Sequence, residues 1–502
     1  MNISFYKQYF IVSILILIFC CGVFRQVDLP GIYMDGVNPD YLAAQTLNPQ
    51  IKNTNWKIPT VIGPVLGNLY HGVENYYVDL GVFKVLGESV TSLRIAQSLF
   101  GGAIIVMVYF LLLNISGNIF ISFFCAALLS TNIAFISSFR TQFYIVLSGE
   151  VWLLASVLAL RRETKFSDLL AGIFYGLSIY AYFVFIFFFP AIACIAIFRQ
   201  KRFLRRYFFG IAIGLIPYLI GYLSLIVALG GISNAVNWIH NSIISLAPLS
   251  SNISFDQRIK DSIMYTYLAI TNIGNNLMIF KNGIHYLLGN VQAIIFMISI
   301  AASAIIFRKK KEIFIVLLPI AYIVMATIFG NRLWVHHYSV MVPFEYLLFG
   351  MFISVLVKSR TTLILTTSIV LTMLCINIAQ SNVFFKKLDV TGGVGKYTDA
   401  VNIFALNALH KQDALYVFPE WGFYMPFDYL TSNSVPYILQ DDPMAISTYK
   451  MKMHKVVLAY WDYSSSSKYE SILKKAGVSD IKINVHLQRN KIPAFYTITG
   501  EF

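Results

Sequence analysis

Apolar runs of roughly 17 to 22 residues recur along the first three quarters of the chain, and they limit its fold more than any other feature. At 1.5 Å per residue, a helix of this length crosses a hydrocarbon core about 30 Å thick. Hydrophobic residues make up 57% of the 502 residues. The sequence therefore predicts an α-helical polytopic membrane protein with about 11 transmembrane helices.

The predicted spans follow one another at short intervals in the first half of the chain, and the long apolar block 169–198 is split near Ala181. They are Tyr9–Val23, Ile95–Leu113, Ile119–Ser137, Phe143–Leu160, Leu169–Tyr182, Phe183–Phe198, Phe208–Leu229, Val291–Phe307, Ile313–Phe329, Tyr338–Leu356 and Thr362–Ile378.

Basic clusters in the short loops predict the orientation of these spans. The clusters lie at 161–162, 199–206, 308–311 and 358–360, all on one side of the predicted spans. Because positive loops stay inside, that side is cytoplasmic, the N-terminus is inside and the C-terminus is outside. The net charge of +14 is thus explained by topology and predicts no nucleic-acid partner. We expect a multi-pass protein of the cell inner (plasma) membrane.

Two long segments, 24–93 and 230–290, interrupt the spans on the outer face, and both belong to a transmembrane domain predicted over residues 1–380. Residues 381–502 change character: they carry more charge, and short strand patterns alternate with helical ones. Such alternation is typical of a small α/β domain. The fold class is therefore a helical membrane protein with a small C-terminal extracytoplasmic α/β domain.

Within this C-terminal domain the sequence predicts strands at 414–418, 436–439, 455–459, 481–485 and 494–498. Helices are predicted at 397–410, 422–430 and 467–476. Trp421 follows the first strand and could touch a ligand, although a packed strand-to-helix turn is the favoured interpretation. We expect the domain to pack on the outer face and to add no catalytic group.

Acidic residues directly after the first span are the first candidates for chemistry. A carboxylate at a membrane surface needs water or a polar ligand around it, so Asp35 and Asp40 are functional candidates. Asp35 could take a proton from an attacking hydroxyl, but Asp-Gly is also a favoured turn dipeptide. Asp40 follows Asn38-Pro39, and an acid there stabilises the start of a helix through its dipole, so a structural role is favoured.

His71 and Glu74 form a second cluster, spaced three residues apart among tyrosines. Such a cluster can bind a sugar ring by stacking and hydrogen bonding. It can also hold a divalent cation, with Asp35 and Glu74 as the metal ligands. Interfacial anchoring by the tyrosines is the alternative. A divalent cation is thus possible, and no cofactor is certain.

Two arginines and two histidines lie at the outer ends of later spans: Arg140, Arg332, His336 and His337. A guanidinium binds phosphate oxygens in a two-pronged geometry, so two convergent arginines suit a phosphate at headgroup level. Snorkelling of each arginine to lipid phosphate is the alternative. The histidines are too close in sequence to share one helical face, so we expect one of them to reach a cavity.

The order of these motifs resembles the GT-C superfamily of membrane glycosyltransferases, which includes protein O-mannosyltransferases and lipid A aminoarabinose transferases. The resemblance covers roughly the first 380 residues. The stretches that carry it are Pro30-Gly-Ile-Tyr-Met-Asp35-Gly36, Tyr70-His71-Gly72-Val-Glu74-Asn-Tyr76, Val85-Leu-Gly87-Glu-Ser89-Val-Thr-Ser-Leu-Arg94, Ser-Phe-Arg140 with Tyr144, and His336-His337-Tyr-Ser-Val-Met-Val-Pro343.

This resemblance implies transfer of a sugar from a polyprenyl phosphate to an acceptor hydroxyl on the outer face, with inversion. Asp35 would be the general base, Arg140 and Arg332 would hold the leaving phosphate, and His71, Tyr144, His336 and His337 would bind the donor. The partners would be the polyprenyl-phosphate-linked sugar, the bilayer, and a glycan, lipid or protein acceptor. Gly36 replaces the second acid of the family, so Asp40 or Glu74 supplies that charge or one carboxylate suffices.

Two other classes of membrane protein also have many transmembrane spans. A secondary transporter should show ionisable residues or broken helices near span centres, whereas the polar residues here gather at the outer face. A lipid-linked oligosaccharide polymerase or ligase typically has a large loop with arginine and histidine, which 230–290 could imitate. A polar site beneath segment 24–93 would favour transfer from polyprenyl phosphate, and one beneath 230–290 would favour the polymerase.

The predicted orientation can be tested with reporter fusions. A reporter fused after Phe502 should be active only on the outer side of the membrane, and one fused after Lys311 only inside, because the basic loops stay in the cytoplasm. A fusion after Phe502 that is active inside would contradict the predicted spans.

Overall fold

A computed structural model of the chain describes residues 3–48, 58–162, 164–197, 201–246, 253–282, 289–329, 333–357, 359–411 and 413–502. Helices form the part of the chain before residue 392. They are α1 Ile3–Val23, α2 Met34–Leu47, α3 Glu74–Leu86, α4 Val90–Ser116, α5 Ile119–Thr131, α6 Ile133–Ser138, α7 Phe143–Leu160, α8 Lys165–Ala181, α9 Phe189–Ala193, α10 Lys201–Gly214, α11 Ile216–Ala228, α12 Ile232–Leu246, α13 Phe255–Ile270, α14 Ile273–Phe280, α15 Gly289–Phe307, α16 Ile313–Phe329, α17 Met341–Leu356 and α18 Arg360–Thr391.

Each predicted span has a helical counterpart in the structure. Among the described residues, six helices are long and apolar enough to cross a membrane, and α10 with α11 makes a seventh if this pair, bent by 42°, is one span. Shorter apolar helices occupy 119–131, 183–193 and 313–329. The break predicted near Ala181 is confirmed, because α8 ends there and a 3₁₀ turn begins at Phe183. The polytopic helical fold is confirmed as well.

Glycines bring α8 and α10 into backbone contact. A Cβ at Gly172 would lie 2.1 Å from the Tyr207 carbonyl oxygen, and one at Gly214 would lie 2.3 Å from the Ile173 carbonyl oxygen. Side chains at these positions would push the helices apart. Small residues spaced four apart on both helices are the usual means of close helix packing in membranes.

The C-terminal domain contains α19 Ala400–Ala408, α20 Tyr424–Thr431, α21 Pro443–Ser447 and α22 Ser466–Lys475. Its strands are β1 Ala414–Val417, β2 Tyr437–Ile438, β3 Lys455–Tyr460, β4 Ser479–Leu487 and β5 Pro493–Glu501. They form one sheet in the order β2-β1-β3-β5-β4, with β1 parallel to β2 and β3, and β5 antiparallel to β3 and β4. The small α/β domain predicted from the sequence is confirmed.

The predicted domain boundary at 380 falls inside α18, which continues to Thr391. Beyond α18, the C-terminal domain shares a hydrophobic core with segment 24–93, since Tyr41 of α2 and Phe404 of α19 belong to one buried cluster. Polar contacts join the same parts, since the Asn402 Oδ1 accepts from the backbone N–H of Ile32 at 3.0 Å. Segment 24–93 and the C-terminal domain therefore pack directly on each other.

Candidate active site

Arg140 holds the turn that follows α1. Its guanidinium donates to the carbonyl oxygens of Val23 at 2.7 Å, Leu29 at 2.6 Å and Gln26 at 2.9 Å, and also to that of Arg25. The side chain is 1% exposed, and its charged end lies 4.9 Å from the ring centre of Phe385. The last carbonyls of a helix lack partners within the helix, and five N–H donors on one side chain can satisfy several of them.

Arg94 supports the same segment from α4. It donates to the Pro30 carbonyl oxygen at 3.3 Å and to Oε1 of Gln97 at 3.1 Å. Gln97 in turn donates to the Gly36 carbonyl oxygen at 3.1 Å. Two buried arginines thus hold the backbone that precedes Asp35, and Gln97 holds the carbonyl of Gly36 that follows it.

Asp35 lies in the first turn of α2 and is half-buried. Burial raises the pKa of its carboxyl group above the ordinary value, while the Tyr33 hydroxyl and the charge of Lys396 act in the opposite direction. The carboxylate also acts on Tyr70, whose pKa is raised to about 12, mainly by burial. A carboxyl group with a raised pKa is a stronger base once it is ionised.

The Tyr33 hydroxyl connects Asp35 to the C-terminal domain. It hydrogen-bonds to the Asp35 carboxylate, and the Trp421 side chain hydrogen-bonds to it. Because an indole N–H can only donate, Trp421 donates a hydrogen bond to the Tyr33 hydroxyl oxygen, and Tyr33 donates one to the Asp35 carboxylate. The Tyr33 ring also packs on Tyr397, with ring centres 4.6 Å apart.

Asp40 lies deeper, with an exposed fraction of 0%. The Tyr144 hydroxyl donates to it, and its carboxyl group hydrogen-bonds to that of Asp79 on α3. Two carboxyl groups can share such a bond only if one of them is protonated. Burial and then the charge of Asp40 raise the pKa of Asp79, so Asp79 carries the proton. This arrangement favours a structural role for Asp40 and Tyr144.

Glu74 begins α3. It accepts a hydrogen bond from the Ser148 hydroxyl at 3.1 Å through Oε1, while its buried Oε2 has no partner among the described residues. Burial raises the pKa of Glu74 to about 7. It is thus a second carboxyl group that can exchange a proton near neutral pH.

The histidines and neighbouring aromatic residues pack against one another and form a continuous wall of rings. The rings of His71 and Tyr182 stack with centres 5.9 Å apart, and the Tyr182 hydroxyl lies 3.1 Å from Nε2 of His337. His336 packs on His337 at 4.0 Å, and its Nδ1 lies 3.3 Å from the Gln142 amide nitrogen. Burial lowers the pKa of His71 to about 4, so its ring is neutral at pH 7.

Gln142 completes the wall because its Oε1 accepts a hydrogen bond from the Tyr397 hydroxyl at 3.3 Å. Contacts therefore run from Asp35 through Tyr33, Tyr397 and Gln142 to His336. The structure brings together Asp35, His71, His336 and His337 in this way, whereas Arg140 binds backbone instead. Arg332 lies outside the described residues.

Sequence reasoning missed Asp79, Gln142, Tyr397 and Lys396. Asp79 follows Asn75 by four residues on α3, and both are buried, so two polar residues on one helical face were a usable signal. Lys396 and Tyr397 gave no local signal, because more than 350 residues separate them from Asp35 in the 502-residue chain.

The carboxylates do not form a ligand set for a metal ion. In the described part of the chain, no group of three or more His, Cys, Asp and Glu side chains is placed to hold one. Asp35 contacts Tyr33, whereas Glu74 contacts Ser148 on α7. We therefore derive no step through a divalent cation.

No protein-family model and no curated protein matches the sequence. Solved structures do match. ArnT from Cupriavidus metallidurans bound to undecaprenyl phosphate is similar with a TM-score of 0.55 and 10% identity, over 99% of this chain and 98% of that one. The Archaeoglobus fulgidus oligosaccharyltransferase in complex with Zn and sulfate is similar with a TM-score of 0.51 and 12% identity, over 93% of this chain and 69% of that one.

The chain shares the fold of these two structures. The similarity to ArnT extends over the C-terminal domain as well as the helices, because it covers 99% of the chain. The fold implied by the sequence motifs is thus confirmed. The roles of the site residues remain predictions.

Replacement of Arg140 by lysine separates the two roles considered for this residue. Lysine keeps the charge but cannot reach carbonyls spread over 22–29, so Arg140→Lys should destabilise the protein by about 2 to 4 kcal/mol. Thermal unfolding in detergent measures this, with the exposed Arg360→Lys as the unchanged control. A weaker affinity for the donor at an unchanged melting temperature would support the phosphate-binding role instead.

The Asp40–Asp79 pair predicts a pH dependence of stability. Both carboxyl groups have raised pKa values, so the folded protein binds their protons more tightly than the unfolded chain. The stability that they contribute is full below about pH 4 and is lost as the pH rises through the raised pKa values. Asp79→Asn replaces the shared proton by an amide donor and should flatten this decline in melting temperature. An unchanged decline in the variant would contradict the shared proton.

Proposed function

We propose that this protein is a membrane glycosyltransferase that transfers a sugar from a polyprenyl-phosphate donor to an acceptor hydroxyl on the outer face of the inner membrane. The observation that carries the proposal is Asp35, a half-buried carboxylate in the first turn of α2. Two arginines hold the backbone that leads to it, and aromatic and histidine side chains lie nearby. The GT-C fold supports it. The donor headgroup would enter from the bilayer, and the orientation follows from the basic loops.

In the proposed reaction, Asp35 removes the proton from the acceptor hydroxyl. The hydroxyl oxygen attacks the anomeric carbon, and the bond from that carbon to the phosphate oxygen breaks on the opposite face. The electron pair leaves with the phosphate, so the configuration inverts. The raised pKa of Asp35 makes it a better base than an exposed aspartate, and Tyr33 fixes the direction of its oxygens.

The neutral His71 ring and the Tyr182 ring stacked on it offer a flat surface for a sugar. The Nδ1 of His71 lies 2.9 Å from the Gly72 carbonyl oxygen, so N–H donation there leaves Nε2 as an acceptor for a sugar hydroxyl. Glu74 is retained as a second candidate for the base because burial raises its pKa to about 7. In either case, Asp40 would contribute by holding α2 in position.

A lipid-linked oligosaccharide polymerase was the main alternative. In that class the reactive groups would come from segment 230–290. There, Arg258 donates to the Ile328 carbonyl oxygen at 2.8 Å, and Tyr267 donates to Asn290 at 2.6 Å. The connected wall lies instead beside the first outer segment, which favours transfer from polyprenyl phosphate.

Asp35→Asn tests the role of the base. Asparagine keeps the size and hydrogen bonding but lacks the basic electron pair, so turnover should fall by about 10² to 10⁴ while donor binding survives. Mass spectrometry of the co-purified lipid identifies the donor, and release of polyprenyl phosphate from it measures turnover. In the wild type, activity should decline on the acidic side at a pH above the usual aspartate range, because the pKa of Asp35 is raised.

Asp28→Asn is the matched control, since Asp28 is an exposed carboxylate in the same segment. Near-normal turnover in Asp35→Asn with loss in Glu74→Gln would move the base to Glu74. If Asp35→Asn, Asp40→Asn and Glu74→Gln all kept normal activity, the proposed reaction would be wrong.

A further inference from the structure

The charge of Lys396 acts on Asp35 although this lysine lies far along the chain. It occupies the short 3₁₀ turn Gly395–Tyr397 that follows α18. The next residue, Tyr397, is 3% exposed, packs on Tyr33, and donates to Gln142. These contacts fix the backbone that carries Lys396 next to the first turn of α2.

The turn around Gly422 guides the stem of this lysine. A Cβ at Gly422 would lie 3.3 Å from Cδ of Lys396 and 3.1 Å from the Trp461 ring, and the φ of +115° there also favours glycine. Glu420 anchors the turn, since it accepts hydrogen bonds from the Trp461 backbone N–H at 2.7 Å and the Tyr469 hydroxyl at 3.0 Å. The stem of the Lys396 side chain thus packs along a fixed surface.

The ammonium group of Lys396 remains available to a ligand. The residue is exposed, and it forms no ion pair with any residue that the structure describes. The two nearby guanidinium groups are already engaged: Arg140 binds backbone carbonyls, and Arg94 binds Pro30 and Gln97. Among the described residues, Lys396 is therefore a basic residue whose charge reaches Asp35 and whose ammonium group still has hydrogen-bond donors to offer.

We propose that Lys396 binds the phosphate of the lipid-linked donor, so that the C-terminal domain completes the active site. This assignment rests on the proposed function. As the bond from the anomeric carbon to the phosphate oxygen breaks, the electron pair adds negative charge to the phosphate, and the ammonium group stabilises it. The lysine keeps its proton throughout, and the acceptor proton stays on Asp35. Charge-assisted hydrogen bonds to phosphate suit a lysine ammonium.

The test compares binding of undecaprenyl phosphate with binding of undecaprenol to the purified full-length protein in nanodiscs. The two lipids differ only in the phosphate. The wild type should prefer the phosphate, and Lys396→Met, which keeps the stem without the charge, should lose about tenfold to a hundredfold of that preference. Lys396→Arg should keep it within about threefold because the charge remains. Lys482→Met, at an exposed lysine on β4, is the matched control.

The outcomes separate the two proposals. If the wild type prefers the phosphate and Lys396→Met prefers it equally, the assignment of Lys396 is wrong while the proposed donor stands. If the wild type shows no preference, the proposed function fails, and the assignment fails with it. Phosphatidylglycerol is the third ligand: if Lys396→Met weakens its binding as much as that of undecaprenyl phosphate, Lys396 binds bulk lipid headgroups and the assignment is overturned.

Discussion

The carbonyl oxygens left without partners at the end of α1 are the constraint on which the site depends. The buried Arg140 guanidinium binds several of them. A guanidinium is suited to this because its planar donors point in several directions. The chain can then turn sharply, and Asp35 enters α2 at a fixed position. The same arginine is consequently engaged in structure before any ligand binds.

The C-terminal domain contributes a second constraint, which acts through close approach of backbones. A Cβ at Gly31 would lie 2.1 Å from the Thr398 carbonyl oxygen, so the two segments touch directly. Around this point, α2 and α19 bury their apolar faces together. Apolar burial of this kind favours one docked arrangement. Because of it, Trp421 reaches Tyr33 and the charge of Lys396 reaches Asp35. The C-terminal domain therefore supplies contacts around the candidate base, and its lack of a catalytic group stays a prediction.

Prediction from sequence succeeded where the signal was local. Apolar runs located the helices, alternation located the strands, and the exit from the first span located Asp35. Prediction was less successful in identifying which side chains and backbone groups contact one another. The backbone partners of Arg140 could not be read from the sequence, because a guanidinium suits phosphate and carbonyl oxygens alike, and its role in binding phosphate stays a prediction. Asp40 and Asp79 gave no sign of sharing a proton, because their contact depends on how α2 packs on α3.

The sequence by itself determined that this is a helical membrane protein with an α/β domain at its C-terminus. A helix that crosses lipid requires a long apolar run, and a half-buried strand requires apolar and polar residues in alternation. It also placed a carboxylate where the first span ends. Only the tertiary structure decided which groups meet that carboxylate. Tyr33 is two residues away, but Lys396, whose charge acts on the carboxylate, and Trp421, which hydrogen-bonds to Tyr33, come from the other end of the chain. Their approach follows from apolar packing and close backbone contact, which local sequence patterns do not encode.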